Sequence, residues 1–365
     1  ATVVNKQGLI ETVGSGIPRI DFSDDAKGAL LLEPTATNNL LQSNQFDTTW
    51  TLSTSIGLTS GQSGVYSSND SWLLKKTATG SGYVEQSLSL SSAQYSYSVY
   101  LKAESTNWAL IWSYDGSASV NVYFDLQNGV VGTTGGSNFD NATIESVGNG
   151  WYRCTLIYTQ TTTSIRVYPA FANGDVSTGA DGGIYIQHAQ LEENSYATSL
   201  IKTVGTTQTR VADTASDSGN STVINSSEGT FYAEISAFVG GGNFDFISLS
   251  DGGNANRCSI FFNAGNLSAS YRVSDTNVFL HSQPANLLEF HKVAISYKQS
   301  EFKMFVDGLK VQQQLSGNVL SANTFDTLNF DKGNGSANPF RGKTKSLQVY
   351  TTALSDAELT TLTTI

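Results

Sequence analysis

FHKVAISYKQSEFKMFVDGLKV, residues 290–311, carries the pattern that decides the fold. Val293, Ile295 and Tyr297 alternate with polar or small residues. Lys298-Gln299-Ser300 interrupts the pattern, and Phe302, Met304 and Val306 resume it up to Asp307-Gly308, before Leu309-Lys310-Val311. A period of two sends alternate side chains to opposite faces of a strand, so each run has one buried and one wet face. Asp-Gly between two such runs is a hairpin signal, because both central residues of the tight turn need positive φ. The stretch reads as three antiparallel strands, with Val293, Ile295, Phe302, Met304 and Val306 in the core.

The same grammar extends in both directions. From 35 to 204 it predicts strands at Trp72–Thr77, Tyr83–Leu90, Tyr95–Ala103, Trp108–Tyr114, Val120–Leu126, Ala142–Val147, Trp151–Thr159, Ser164–Ala170 and Gly183–Glu192. Asp115-Gly116, Asn128-Gly129, Asn149-Gly150, Asn173-Gly174 and Asp181-Gly182 have the chemistry of tight turns between them. Many short strands with this punctuation imply a two-sheet sandwich. Thr, Ser, Asp, Asn and Gly then dominate 205–227, which reads as a linker. A second sandwich occupies 228–365, with strands at Thr230–Val239, Phe244–Ser250, Arg257–Asn263, Leu267–Val273, Asn277–Leu280, Thr327–Asp331 and Thr344–Tyr350 around the opening stretch. Ser355-Asp356-Ala357-Glu358 is a capping box, so a short helix should run from Asp356 to Thr363. The fold class is all-β: two tandem antiparallel β-sandwich domains of jelly-roll type and a short C-terminal helix. Residues 1–34 carry few periodic apolar positions and read as an N-terminal arm.

Composition narrows the partners. Among 365 residues only 14% are charged, while 39% are hydrophobic and 11% aromatic, so Ser, Thr, Asn, Gln and Gly must form the surface. The net charge of −11 argues against nucleic acid and anionic membranes, whose phosphates need clustered Lys and Arg. Lys343-Thr344-Lys345 near Arg341 is the largest basic cluster, and it reads as a solvated edge strand. No apolar run is long enough for a membrane span. No signal-peptide pattern opens the chain, which is expected to be processed, trimmed or part of a longer one. Cys154 and Cys258 fall in different domains and read as buried thiols rather than a disulfide.

The candidate ligand residues are aromatic. Sugar-binding surfaces combine exposed rings with a few polar groups. Trp108, Leu110 and Trp112 share one face of a strand with Tyr114, and Ala109 and Ile111 occupy the other. The indole face is expected to be the core face; turned outward, it would make a stacking platform. Trp72 and Tyr66 flank the loop Ser67-Ser68-Asn69-Asp70 and form a second candidate. Trp151 reads as core, with Arg153 on its face and Tyr152 opposite. His188, His281 and His291 read as structural sheet positions, and the G-x-S-x-G, H-E-x-x-H and phosphate-loop patterns are missing.

Two resemblances follow from longer pieces of text. Gly229-Thr230-Phe231-Tyr232-Ala233-Glu234, the F-H-K-V-A-I-S-Y and M-F-V-D-G-L-K-V runs and the ending Tyr350 to Leu359 resemble laminin-G-like, concanavalin A-like domains, although Thr352 stands where an Arg is usual. The N-terminal half resembles a module of bacteriophage tail-fibre and virion proteins related to carbohydrate-binding jelly rolls. Its pieces are P-R-I-D-F at 18–22, L-L-L-E-P with T-N-N-L-L at 30–41, G-N-G-W-Y-R at 148–153, A-Q-L-E-E-N-S-Y-A-T-S at 189–199 and T-R-V-A-D at 209–213. The resemblance implies a non-catalytic virion protein (tail fibre, head fibre or decoration) on the outside of the particle. Its expected partners are a host-surface glycan, other virion proteins and further copies of itself, for instance in a trimer. The alternatives are a secreted carbohydrate-binding accessory module or polysaccharide-active enzyme, and a purely structural virion protein. Domains of this type also often hold a structural Ca²⁺ in oxygen-rich loops. Asp251, Asn254 and Asn256, with Asp245 nearby, are the clustered oxygens that would provide it; the same stretch reads first as an ordinary Gly/Asn hairpin loop with no metal.

Overall fold

In the computed structural model, which describes residues 1–65, 69–238, 243–335 and 337–365, the alternating runs form antiparallel ladders and one helix follows them. Two compact units emerge. Ala1–Ile17, Asp21–Ala26 and Thr35–Val211 make the first, and Pro18–Ile20, Lys27–Pro34 and Ala212–Ile365 the second.

The first unit is a two-layered sandwich built on two strands of 20 residues each, Val84–Ala103 and Trp151–Ala170. The sequence pattern taken alone divides each of them in two. The chain instead continues through register shifts between Gln160 and Thr162 and between Thr162 and Ser164. A bulge bends a strand and sharpens its twist, so one strand can serve both layers. Beyond the bend, Trp151–Ala170 pairs with Trp108–Tyr114, followed by Ser119–Asp125 and Val130–Gly135. Before it, Trp151–Ala170 pairs with Phe139–Ser146, while Val84–Ala103 leads to Gly183–Glu192, Ser71–Lys76 and Ile56–Gln62. Val130–Gly135 and Ile56–Gln62 carry no clear strand pattern in the sequence, because their glycines weaken it. Ile111, Val122, Phe124, Ile165 and Val167 of one layer and Val99, Leu101, Leu156, Ile184 and Ile186 of the other fill one core.

Several family-like text pieces serve as joints of this unit. Asn38 Nδ2 donates to the Ile201 carbonyl at 2.9 Å, and its Oδ1 accepts from Leu191 N at 3.1 Å. The buried Glu192 carboxylate accepts from Thr198 N at 2.8 Å, and Arg153 Nη2 donates to the Thr198 carbonyl at 2.7 Å. Burial raises the Glu192 pKa, against the hydrogen bonds from Thr198 and Gln190 and the charge of Arg153.

In the second unit the opening stretch forms His291–Lys298, Glu301–Val306 and Leu309–Gln314. Asp307 and Gly308 turn the chain with φ of 50° and 81°. Val293, Ile295, Phe302, Met304 and Val306 are all in the core. His291–Lys298 continues the sheet through Glu228–Ala237 and Gly342–Tyr350 to Ala29–Leu32. Gly342–Thr344 therefore has a strand on each side and is not the solvated edge expected around Lys343: a segment from the start of the chain covers it. The opposing sheet runs Thr276–Pro284, Asn266–Val273, Arg257–Asn263, Asn243–Ser250 and Thr327–Asn329.

Arg19 anchors the covering segment. Its Nη1 pairs with Glu33 at 2.7 Å, and its Nε donates to Asp213 Oδ1 at 3.1 Å. Three pieces far apart in sequence, P-R-I-D-F, L-L-L-E-P and T-R-V-A-D, thus meet in one buried ion cluster. The helix Asp356–Thr363 starts at the capping box: Ser355 Oγ accepts from Glu358 N, and the Glu358 carboxylate accepts from Ser355 N at 2.8 Å. Leu359 packs against Tyr232 and Phe305, with Leu354 alongside.

Candidate functional site

The strand Trp108–Tyr114 has two faces, and the structure turns them the opposite way from the expectation. Ala109 and Ile111 enter the main core, where Val122 and Phe124 on one neighbouring strand and Ile165 and Val167 on the other already face inward. Pairing in register obliges Trp108, Leu110, Trp112 and Tyr114 to share the outer face with Asn121 and Tyr123 on one side and Arg166 and Tyr168 on the other. Burying the indoles would have placed the Arg166 guanidinium in the core without compensation, which costs more than leaving two tryptophans half-buried.

On that face a row of planar groups stacks across three strand positions. The Arg166 guanidinium carbon lies 4.3 Å from the Tyr83 ring centre and 4.1 Å from that of Trp112. Trp112 in turn stacks on Tyr114, 5.2 Å away with planes 15° apart. Arg166 is held by an ion pair from its Nε to Glu85 and by Nη1 donating to the Tyr168 hydroxyl at 3.2 Å. Burial would lower the Arg166 pKa, but the bonds to Tyr168 and Glu85 outweigh it and raise it. Burial pushes the Tyr168 pKa up to about 12, with Arg166 opposing. Trp108 lies against Gly132; a Cβ there would come within 2.6 Å of the indole and 2.7 Å of Asn173 Oδ1. The result is a preorganised aromatic ridge with a rim of hydroxyl, amide and guanidinium groups. Such a surface takes a ligand that has an apolar face and peripheral hydroxyls.

Glu85 and Asp125 are the acids on the strands of this face. Three strand spacings and four residues of rise put about 14 Å and about 13 Å between them in the two directions. A glycosidase pair stands roughly 5–10 Å apart. Glu85 is spent on Arg166, and Asp125 accepts from Gln127 N at 2.9 Å and Asn128 N at 3.1 Å. Burial opposes the charge of Asp125, and the bonds from Asn128 and Gln127 still hold its pKa below the usual range.

The remaining candidates scatter. Trp72 is not a loop-side ligand residue. It is 7% exposed in the core, donates its indole N–H to the Asn44 carbonyl at 2.7 Å and meets Phe46 edge to face. Tyr66 lies outside the described residues. Trp151 is buried, but in a small cluster with Val65 and Tyr100 apart from the main core, and Arg153 sits over Tyr100. His291 Nδ1 bonds Asp307 at 2.6 Å and braces the turn.

The expected calcium residues do not make a cradle. Asp245 pairs with Phe262 at one end of its hairpin and the 251–256 loop closes the other, with Ser250 paired to Arg257. Five residues of strand separate Asp245 from Ser250, about 17 Å. Within the loop, Asp251 Oδ2 accepts from Asn256 Nδ2 at 2.7 Å and Oδ1 from Gly253 N at 3.1 Å. Asn256 Oδ1 accepts from Ser274 N at 2.8 Å, and the Asn254 carbonyl accepts from Arg257. Asn254 Oδ1 is buried and has no hydrogen-bond partner among the described residues, but with Asp245 at the far end of the hairpin the four residues do not gather the six to eight oxygens calcium takes around one point.

Residues 178–360, half of the chain, match the family model Laminin_G_3, described as the concanavalin A-like lectin/glucanases superfamily. Among solved structures, the CBM40 of Ruminococcus gnavus IT-sialidase bound to alpha2,3 sialyllactose is 20% identical, with 41% of this chain and 94% of that chain covered and a TM-score of 0.34. The native heptameric SAP-like pentraxin from Limulus polyphemus is 18% identical, with 40% and 73% covered and a TM-score of 0.32. Domains LG4-5 of the mouse laminin alpha1 chain are 10% identical, with 92% and 93% covered and a TM-score of 0.28. Scores this low carry no conclusion about this chain. No curated protein matches it.

Proposed function

This chain belongs to the concanavalin A-like lectin/glucanases superfamily, and from that premise we propose that it is a non-catalytic glycan-binding protein of a bacteriophage particle. It serves as a tail-fibre, head-fibre or decoration component and attaches the particle to host-surface glycans. The observation that supports glycan binding is the outward ridge of Tyr83, Arg166, Trp112 and Tyr114, with hydroxyl and amide groups at its rim. The virion assignment rests on the text pieces at 18–22, 30–41, 148–153, 189–199 and 209–213. A single ridge of this kind binds weakly, and many copies on one particle convert weak sites into avidity. The protein therefore acts as a homo-oligomer, such as a trimer, attached to other virion proteins.

A glycan array probed with the native protein and its Trp112→Ala and Tyr114→Ala variants tests the binding. The native protein should retain a defined set of glycans. Each variant should lose them by about threefold to tenfold per ring, the worth of one aromatic contact, with an unchanged circular dichroism spectrum. Native protein that binds no glycan sinks the proposal. Portal, baseplate or lyase genes beside the coding sequence are the check on the virion assignment.

A further inference from the structure

The second unit contains a buried guanidinium, Arg257, that forms no ion pair among the described residues. Arg257 is 3% exposed on the outer face of its strand, on the side of Ser259 and Phe261 and opposite the core residues Cys258 and Ile260. Its Nη1 donates to the Asn254 carbonyl, and its Nε has no hydrogen-bond partner among the described residues. Its cross-strand partner is a second arginine, Arg272. The nearest acid in electrostatic terms, Asp275, is engaged by Arg272 Nη2 at 3.1 Å and is largely exposed. Phe246, with Arg257 5.7 Å from its ring centre, stacks on Phe261 at 4.3 Å and bounds the site on the apolar side. Lys332 adds a third cation 6.0 Å from the same ring.

A buried charge without a counter-ion costs several kcal/mol, and a neighbouring like charge adds to that cost. Burial and Arg272 together lower the Arg257 pKa to about 10, with Asp275 offsetting only part. One backbone carbonyl cannot satisfy a five-donor fork. Two guanidinium groups on adjacent strands, one buried and one reaching solvent, have the donor geometry that oxyanions match.

We infer that Arg257 and Arg272 form a binding site for an oxyanion, the carboxylate or sulfate group of an acidic ligand. Arg272 meets the anion at the surface, exchanging its screened contact with Asp275 for it. Arg257 supplies the buried second donor set. The site lies on the second unit and is independent of the aromatic ridge.

Titration of the full chain with D-glucuronate, inorganic sulfate and D-glucose, by calorimetry and thermal unfolding, tests the assignment. The Trp112→Ala background removes any contribution of the ridge. Glucuronate, sulfate or both should bind saturably and raise the unfolding midpoint in both backgrounds, while glucose should do neither in Trp112→Ala. Arg272→Gln should weaken anion binding by more than about tenfold. Arg257→Met should weaken it as much and raise the midpoint of the ligand-free protein, because an apolar side chain of similar volume replaces an unpaired charge. Failure of both anions to bind, or equal binding by both variants, overturns the assignment. Loss of glycan-array signal in Trp112→Ala bears on the ridge alone, so the two readings fail separately.

Discussion

Arg166 and Trp112 face each other across neighbouring strands, with the guanidinium carbon 4.1 Å from the centre of the indole. A cation over an aromatic face is worth about 0.5–2 kcal/mol, more when desolvated. The contact also fixes ring orientation, because Glu85 and Tyr168 hold the guanidinium from the other side. A side chain already locked in place loses little entropy when a ligand arrives.

Replacing Glu85 with Gln keeps the shape and removes the counter-charge. Both partners are about four-fifths covered, at 23% and 18% exposure, so the pair is screened only in part. We expect Glu85→Gln to lower stability by about 1–2 kcal/mol and to weaken glycan binding together with it. Urea unfolding and the glycan array measure the two effects. Unchanged stability and unchanged binding would mean that Arg166 is held without Glu85.

Acidification should act through His188. Its backbone has a φ of 46° at the register shift between Gln187 and Gln190, and its side chain is 2% exposed. Burial, and then Lys202, lower its pKa to about 4 against the pull of Asp70. The unfolded chain takes up this proton near pH 6.5, so the folded state is fully favoured above that pH and loses stability as pH falls toward 4. The loss is about 1.4 kcal/mol per pH unit inside that window. Asn tolerates positive φ and does not titrate, so His188→Asn should show a shallower decline between pH 6.5 and pH 4.5. Parallel declines for the two proteins would exclude His188 as the source.

Arg19→Ala should destabilise the second unit by about 3–5 kcal/mol, because Glu33 at 4% exposure would keep its charge and lose its partner. Thermal unfolding of this variant beside Asp24→Ala, a change outside the cluster, isolates the effect. Equal midpoints would show that Ala29–Leu32 holds its place in the sheet by strand pairing alone.

Local chemistry was legible residue by residue. Val293, Ile295, Phe302, Met304 and Val306 are buried as their alternation requires, and Asp307-Gly308 turns where positive φ is needed. Ser355 and Glu358 cap the helix reciprocally. The bend in Trp151–Ala170 was not legible, because a bulge looks like a break when only one strand is in view. Arg257 gave no signal either: its strand neighbours mark a buried strand, and only its place in space, across from Arg272 with Asp275 already engaged by that second arginine, makes it unusual.

The sequence by itself determined which residues share a face, where the tight turns fall and where the helix begins, because these depend on neighbours a few positions apart. Only the tertiary structure decided which face of Trp108–Tyr114 is inside, that Trp72 packs in the core, and that Asp245 stands far from Asp251. Inside and outside belong to a whole sheet at once. Ile165, Val167, Val122 and Phe124 claim the core on the Ala109 and Ile111 side, and Arg166 cannot follow them in, so the tryptophans are left on the face that can meet a ligand.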